Sequence, residues 1–250
     1  MPKKLYDRQK GKMRVIGLVS GSGKGIVTVI ERQRELEKTS ACDFEVVGIL
    51  TDNPESKAMA IGQKYEIPVI VNDIRKFYRK CNKPIKDLTV REAYDRESVR
   101  LIEPFNPDVL IFAGYVWVAT PVLVNQFQII NAHPADLSVM NGDTRAYGGA
   151  DGIGDALKAG ERQLHSSVHL VTNKVDDGPV LFISKPVAVE TDADLTPQER
   201  WRKYLKLVNA ESRILIPLAV EQMANGNITQ DKAGMLYFKG DPIPNGHRLN

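Results

Sequence analysis

Two cysteines in 250 residues, Cys42 and Cys81, are too few for a metal-binding quartet or a disulfide framework, and both read as reduced and structural. No apolar run reaches the roughly 18 residues that a membrane-spanning helix needs, and the charged start is not followed by the apolar stretch of a secretory signal. These absences predict a cytoplasmic chain with no membrane partner. An excess of charge of one sign is also missing: Lys and Arg number 34 against 31 Asp and Glu, a net charge of +3. The first twelve residues alone exceed it, since Lys3, Lys4, Arg8, Lys10 and Lys12 face only Asp7. The body is therefore close to neutral, which predicts no nucleic-acid partner and leaves room only for a local anion site. Residues 1–12 read as a basic, flexible tail. There is no internal repeat and no low-complexity tract.

What is present is enough apolar material, 42% of the residues, for a full core. One catalytic domain is expected over residues 13–226, with residues 227–250 as an extension packed on it. Residues 13–19 form a continuous apolar run ending in Ser20-Gly21-Ser22-Gly23-Lys24-Gly25, after which Ile26, Val27, Val29 and Ile30 recur at helical spacing. This reads as strand, tight loop, helix. Residues 44–50 predict a second buried strand, 55–65 a helix and 68–71 a short strand, while 72–90 read as a connection with some helix. Residues 90–105 predict a helix with Ala93, Tyr94, Val99, Leu101 and Ile102 buried. Strands are expected at 108–114 and 129–133, separated by a short helix over 120–127 with Thr120 as cap and Pro121 in the first turn. The alternation predicts an α/β fold with an open, mostly parallel, Rossmann-like sheet and helices on both faces.

Residues 134–150 are rich in Gly, Asp and Asn and predict a loop, of a length that is usually functional. A helix near 151–159 follows, then strands at 166–171 and 179–184 joined by a turn, a long helix over 197–225, and short strands and coil to the end.

The glycine loop can present bare amides and a positive helix end to an anion. A tight turn that binds nothing has the same composition. Its spacing is not G-x-G-x-x-G, because Ile26 stands three residues after Gly23, nor that of a P-loop; it suits a monophosphate, with Lys24 as an added cation. Asn131 and His133 are two apart at the end of a strand, so both project to one side of the sheet, at the edge where open α/β sheets bind ligands. Asn131 could donate to an oxygen gaining charge and His133 could exchange a proton near neutral pH; a cap and a structural imidazole remain alternatives. Pro134 restricts His133 to extended backbone. Asp176-Asp177-Gly178-Pro179 could be a solvated hairpin tip, and His169, which alternates with Ser167, could support the site from behind but reads foremost as a packed, hydrogen-bonded histidine.

Five strings occur in the order found in the folate-dependent formyltransferases: Ser20-Gly21-Ser22-Gly23; Arg91-Glu92-Ala93-Tyr94-Asp95-Arg96-Glu97; Pro107-Asp108-Val109 leading to Ala113-Gly114-Tyr115; Asn131-Ala132-His133-Pro134; and Ser167-Val168-His169 ahead of Asp176-Asp177-Gly178-Pro179. The chain resembles that family over residues 13–220, and Arg-Glu-Ala-Tyr-Asp-Arg resembles its phosphoribosylglycinamide formyltransferase branch. The resemblance implies Asn131, His133 and Asp176 as the catalytic set, Gly23, Lys24 and Gly25 as a phosphate loop, and Arg91 as a second phosphate contact. It further implies Val116, Trp117 and Ala119, with Asp176, beside the cofactor, 10-formyltetrahydrofolate as co-substrate, no metal, and a phosphorylated small-molecule amine, glycinamide ribonucleotide, as acceptor. A sugar-amine formyltransferase and a 10-formyltetrahydrofolate hydrolase would share these residues; a silent ligand-binding module is the alternative of a different class. The oligomeric state is left open.

The sequence also departs from the family. Ala135-Asp136-Leu137-Ser138 replaces Ser-Leu-Leu-Pro, the loop over 135–150 is longer, Trp117 stands where arginine is usual, and Asn209 and Ser212 fall near positions occupied by Gln and Glu. The long loop is expected to be a mobile lid, with Asp143 and Arg145 meeting the acceptor.

Overall fold

The structure is a computed structural model that describes residues 2–192 and 194–249. These fall into two compact units, Tyr6–Ile130 and Asn131–Asn250 together with the first five residues, where sequence reasoning expects one domain.

In the first unit, four parallel strands lie in the order Val109–Phe112, Met13–Val19, Phe44–Thr51, Val69–Val71. Their side chains are apolar on both faces, and Ile16, Leu18, Ile49, Leu50 and Leu110 are fully buried, as a covered parallel sheet requires. The helix Lys24–Glu37 buries Ile26, Val29 and Ile30. It approaches the sheet closely because Gly17 has no side chain: a Cβ there would run into Ile26. Parallel pairing brings the C-terminal ends of the strands to one edge, where Ser20 N donates to Gly114 O (3.3 Å), Lys57 N to Gly21 O (2.9 Å) and Asn53 Nδ2 to Ser20 O (3.1 Å).

The helix Arg91–Ile102 buries Arg91, Tyr94, Asp95, Ser98, Val99 and Ile102. These positions trace one stripe at helical spacing, and Ala93, expected inside, lies off it and is exposed. Gly25, expected in the loop, is the second residue of the helix Lys24–Glu37. The short helix Pro121–Val124 begins with proline as expected, but the Thr120 hydroxyl does not cap it; it donates instead to Asp95 Oδ2 at 2.7 Å. Cys42 is buried, whereas Cys81, read as structural, is exposed.

In the second unit, Val180–Ile183 pairs antiparallel with Ser167–Leu170 and parallel with His247–Arg248, and Ser167–Leu170 neighbours the strand Gln128–His133. The helix Pro197–Ala224 opens on a reciprocal capping box between Thr196 and Glu199 and buries Tyr204, Val208, Leu215 and Val220. The anticipated tail is not free: Lys3–Lys4 forms a strand against Thr229 and Gln230, and Tyr6 is buried. Among the described residues no helix is long and apolar enough to cross a membrane.

Residues 135–150 are more tightly anchored than their composition suggests. They contain a hairpin of Met140–Asn141 with Thr144–Arg145, turned at Gly142. Leu137 and Tyr147 are buried, and Asp136 Oδ2 accepts from Arg248 Nη2 at 2.6 Å. Arg145, expected to reach toward an acceptor, donates to the carbonyls of Leu137 and Gly178.

The turn between Ser167–Leu170 and Val180–Ile183 carries Asp176 at a positive φ of 52° and returns through Gly178, where a Cβ would collide with the Leu170 carbonyl. Backbone cannot yield as a flexible side chain can. Gly178→Ala is therefore expected to destabilise the protein by about 2 kcal/mol or more, read as a lowered urea unfolding midpoint; an unchanged midpoint would show that the hairpin can open at no cost.

Candidate active site

In the first unit, the glycine loop leads into the helix Lys24–Glu37 with Gly23 as its N-cap at φ 61°. A Cβ on Gly23 would meet Ile61, so glycine is required both for the left-handed backbone and for the fit. Gly21, Ser22 and Lys24 are exposed at the edge where Val116 N donates to Ser20 Oγ at 3.2 Å. Helix-start amides, a lysine and open space are suited to an anion.

Arg91, at the start of its helix, is only 2% exposed. Its guanidinium carbon lies 4.9 Å from the Trp117 ring centroid, 5.3 Å from Tyr78 and 5.8 Å from Tyr94, while Nε and Nη1 have no hydrogen-bond partner among the described residues. The aromatic faces attract the cation but leave its N–H donors unmet, an arrangement that an anionic acceptor would complete. Trp117 is held edge-on by Nε1 donating to Asp52 Oδ2 at 2.6 Å. Asp95 receives both the amide and the hydroxyl of Thr120; burial nevertheless pushes its carboxyl above the ordinary value. Of the residues expected beside a cofactor, Val116 is 72% exposed and Ala119 is buried.

In the second unit, Asn131, His133 and Asp176 come together, and they are joined by a residue that sequence reasoning assigned to packing. His133 Nδ1 lies 3.3 Å from Asp176 Oδ2, and its Nε2 is 2.7 Å from the Tyr147 carbonyl. A carbonyl only accepts, so Nε2 carries a proton. His169, 1% exposed, donates through Nδ1 to Leu170 O at 2.9 Å. Its Nε2 sits 3.4 Å from Asp176 Oδ1 and 3.3 Å from Asn131 Nδ2; a lone pair there accepts from the amide, and a proton there bonds the carboxylate. The Gly149 amide donates to Asp176 Oδ2 at 2.9 Å. The signal for His169 was its alternation with Ser167 along a strand adjacent to the one carrying His133.

Burial pushes the His133 imidazole below its ordinary value and outweighs the charge of Asp176 and the Tyr147 carbonyl, which raise it. The charge of Asp176 thus raises the His133 pKa only as one contribution, and the sum is a depression. Asp176 moves the other way: burial pushes it up, but the bond from His169, the proximity of His133 and the Gly149 amide together hold it below the usual carboxylate range. The result is an ionised carboxylate between two imidazoles, with a neutral His133 near pH 7.

Residues 13–210 match the formyl transferase family. The phosphoribosylglycinamide formyltransferase of Escherichia coli (strain K12) is 31% identical over 158 residues, 62% of this chain and 66% of that protein. The trifunctional purine biosynthetic protein adenosine-3 of Drosophila melanogaster is 27% identical over 223 residues, 85% of this chain and only 15% of that protein; the chain thus spans less than two thirds of these relatives. Among solved structures, the phosphoribosylglycinamide formyltransferase of Coxiella burnetii superposes with a TM-score of 0.72 at 19% identity, covering 96% of this chain and all of that one. A formyltetrahydrofolate deformylase from Pseudomonas syringae superposes with a TM-score of 0.69 at 16% identity, covering 91% of this chain and 66% of that one. These likenesses show a shared α/β fold, and the match over residues 13–210 shows that the chain belongs to the formyl transferase family.

Proposed function

We propose that the chain transfers a formyl group from 10-formyltetrahydrofolate to the amine of a phosphorylated acceptor, glycinamide ribonucleotide. The observation that carries this reading is the convergence of Asn131, His133 and Asp176 around one buried carboxylate within the region matched by the family. The acceptor's neutral amine attacks the formyl carbon, and the carbonyl oxygen takes up the electron pair. Asn131 Nδ2, which otherwise bonds His169 Nε2, and the protonated Nε2 of His133, which otherwise bonds the Tyr147 carbonyl, would turn to that oxyanion as donors, each worth about 2.7 to 4 kcal/mol in sites of this kind. The intermediate collapses with loss of tetrahydrofolate, and the proton lost by the amine reaches the leaving nitrogen through Asp176 and water. Because burial keeps His133 neutral, it donates from Nε2 without first acquiring a charge. Gly23, Lys24, Gly25 and the unmet donors of Arg91 supply the anion-binding chemistry that a ribonucleotide phosphate needs, and the exposed Val116 with Trp117 supplies apolar surface for the pterin side.

The deciding experiment is turnover of 10-formyltetrahydrofolate against a panel of amines. Formylation of glycinamide ribonucleotide supports the proposal; formate release at the same rate without an amine would make the protein a hydrolase, and preference for a sugar amine would replace the acceptor.

His133→Ala and Asp176→Ala are each expected to lower turnover at least about a hundredfold with the fold intact, and a variant retaining a tenth of the wild-type rate removes its residue from the mechanism. Arg91→Ala is expected to raise KM for the phosphorylated acceptor about tenfold while sparing the folate KM; an equal loss with an unphosphorylated amine would place Arg91 elsewhere.

Stability should follow the same groups. His133 has a folded pKa below its unfolded 6.5, so its contribution is complete above pH 6.5 and lost as pH falls through the folded value. Asp176, depressed below 3.8, contributes above 3.8 and loses that contribution on further acidification. The unfolding free energy from urea melts should therefore fall in two stages below neutrality, and the first should be shallower in His133→Gln. An identical pH slope between 7 and 5 in both proteins would show that His133 is not held neutral.

A further inference from the structure

A cavity of about 430 Å³ opens in the second unit, within the size range of small-molecule sites, and none of Asn131, His133, His169 and Asp176 lines it. Its apolar wall includes Val139 and Tyr147 from the long loop, Ile153 and Ala156 from the helix Gly152–Lys158, and Leu164. The polar atoms of the lining are not all engaged. His165 Nδ1 lies 2.9 Å from Ser184 O and donates to it, which leaves Nε2 as an acceptor. One oxygen of Glu161 accepts from the Tyr147 hydroxyl at 2.6 Å, and no hydrogen bond among the described residues occupies the other. Asp136, also in the wall, is neutralised by Arg248 at 2.6 Å. The uncommitted groups thus offer lone pairs and one negative charge beside an apolar face, which selects a ligand that donates hydrogen bonds, carries positive charge and has an apolar body.

Tyr147 belongs to this cavity and to the imidazole at once. Its ring and hydroxyl face the cavity and Glu161, while its carbonyl accepts from His133 Nε2, the donor assigned to the oxyanion. We propose that the cavity binds a small organic cation, an amine or amidinium on an apolar ring, and that its occupancy inhibits the enzyme by holding Tyr147 against His133. A ligand that fits the cavity with Tyr147 in this position stabilises this arrangement over any in which the carbonyl has released Nε2. The binding part stands on the cavity alone; the inhibitory part rests on the formyl-transfer reading.

Benzamidine and its neutral isostere benzamide test the proposal by calorimetric titration of the full chain. Benzamidine should bind at least about tenfold more tightly, and Glu161→Gln, which keeps an acceptor for the Tyr147 hydroxyl while removing the charge, should abolish that preference and leave benzamide unaffected. Equal affinities in the wild type, or an undiminished preference in Glu161→Gln, would overturn the site. In protein with labelled histidine, saturation with benzamidine should slow solvent exchange of the His133 Nε2 proton about tenfold or more; unchanged exchange with benzamidine bound would overturn the coupling. Both readouts are independent of turnover, so an absence of formyl transfer would remove the function proposed above while leaving the cation site standing on its own measurement.

Discussion

An ionised carboxylate that is 9% exposed must have its lone pairs met by donors, because an unpaired buried charge costs several kcal/mol. Asp176 is that group, and three segments of the second unit meet at it. The Gly149 amide of the long loop donates to it, while ring nitrogens of His133 from one strand and His169 from the neighbouring strand lie 3.3 and 3.4 Å away and become donors to it when those atoms carry a proton. Asp176 itself sits at φ 52°, a conformation that aspartate tolerates better than most residues, at the tip of a turn whose return through Gly178 leaves no room for a side chain. A strand end, a hairpin and a loop distant in sequence are thereby tied to one another through four polar atoms. Burial sets the sign of the resulting chemistry, since it depresses the imidazole further than the carboxylate beside it can raise it.

The first unit shows the opposite condition, with donors and acceptors buried and left unmet. Among the described residues, Arg91 keeps two guanidinium nitrogens without partners, and Asp52, Asp95, Tyr78 and Tyr115 each keep one oxygen without one. Aromatic rings around Arg91 supply attraction without hydrogen bonds, so the cation is retained but not saturated. Trp117 bears on this directly. An arginine at that position would set a second guanidinium near the first, whereas the indole offers a face to Arg91 and an N–H to Asp52, preserving the unmet donors for a ligand. Buried polar groups with open valences are unusual in a fold assembled only for stability.

The strands were legible because a covered parallel sheet writes itself as continuous apolar runs, and Met13–Val19, Phe44–Thr51 and Val109–Phe112 lie where those runs are. Asn131 and His133 were legible through their spacing on a strand, and Asp176 through the strings around it. Where tertiary contacts override local composition, sequence reasoning failed. Ala93 is apolar yet lies off the buried stripe that Arg91, Tyr94, Asp95 and Ser98 define, because that stripe meets partners that only folding supplies. For His169 the alternation with Ser167 marked a shared strand face but not its partners, since neither the bulged pairing of Ser167–Leu170 with Val180–Ile183 nor the turn that folds Asp176 back upon it can be read from spacing. The first twelve residues were judged by charge, but Lys3–Lys4 uses its backbone to pair with Thr229 and Gln230, and backbone pairing is indifferent to side-chain charge on a solvent-facing edge.

The long loop unites these strands of reasoning. Its glycines and polar residues suggested a segment with little to hold it, yet Leu137, Tyr147 and the Arg145 guanidinium fasten it at three points. Fastening is what allows a loop to act on chemistry, because a freely moving segment could not place the Tyr147 carbonyl 2.7 Å from His133 Nε2. That carbonyl has two consequences of different sign. It selects the tautomer with a proton on Nε2, the form required of a donor, and it occupies that same proton. In the proposed reaction the substrate's oxygen would compete with a backbone acceptor already in place, and the outcome would depend on how firmly Tyr147 is anchored by Glu161 through its hydroxyl. Tyr147 of this loop, with Glu161, therefore bears on the His133 Nε2 proton that the proposed reaction would use.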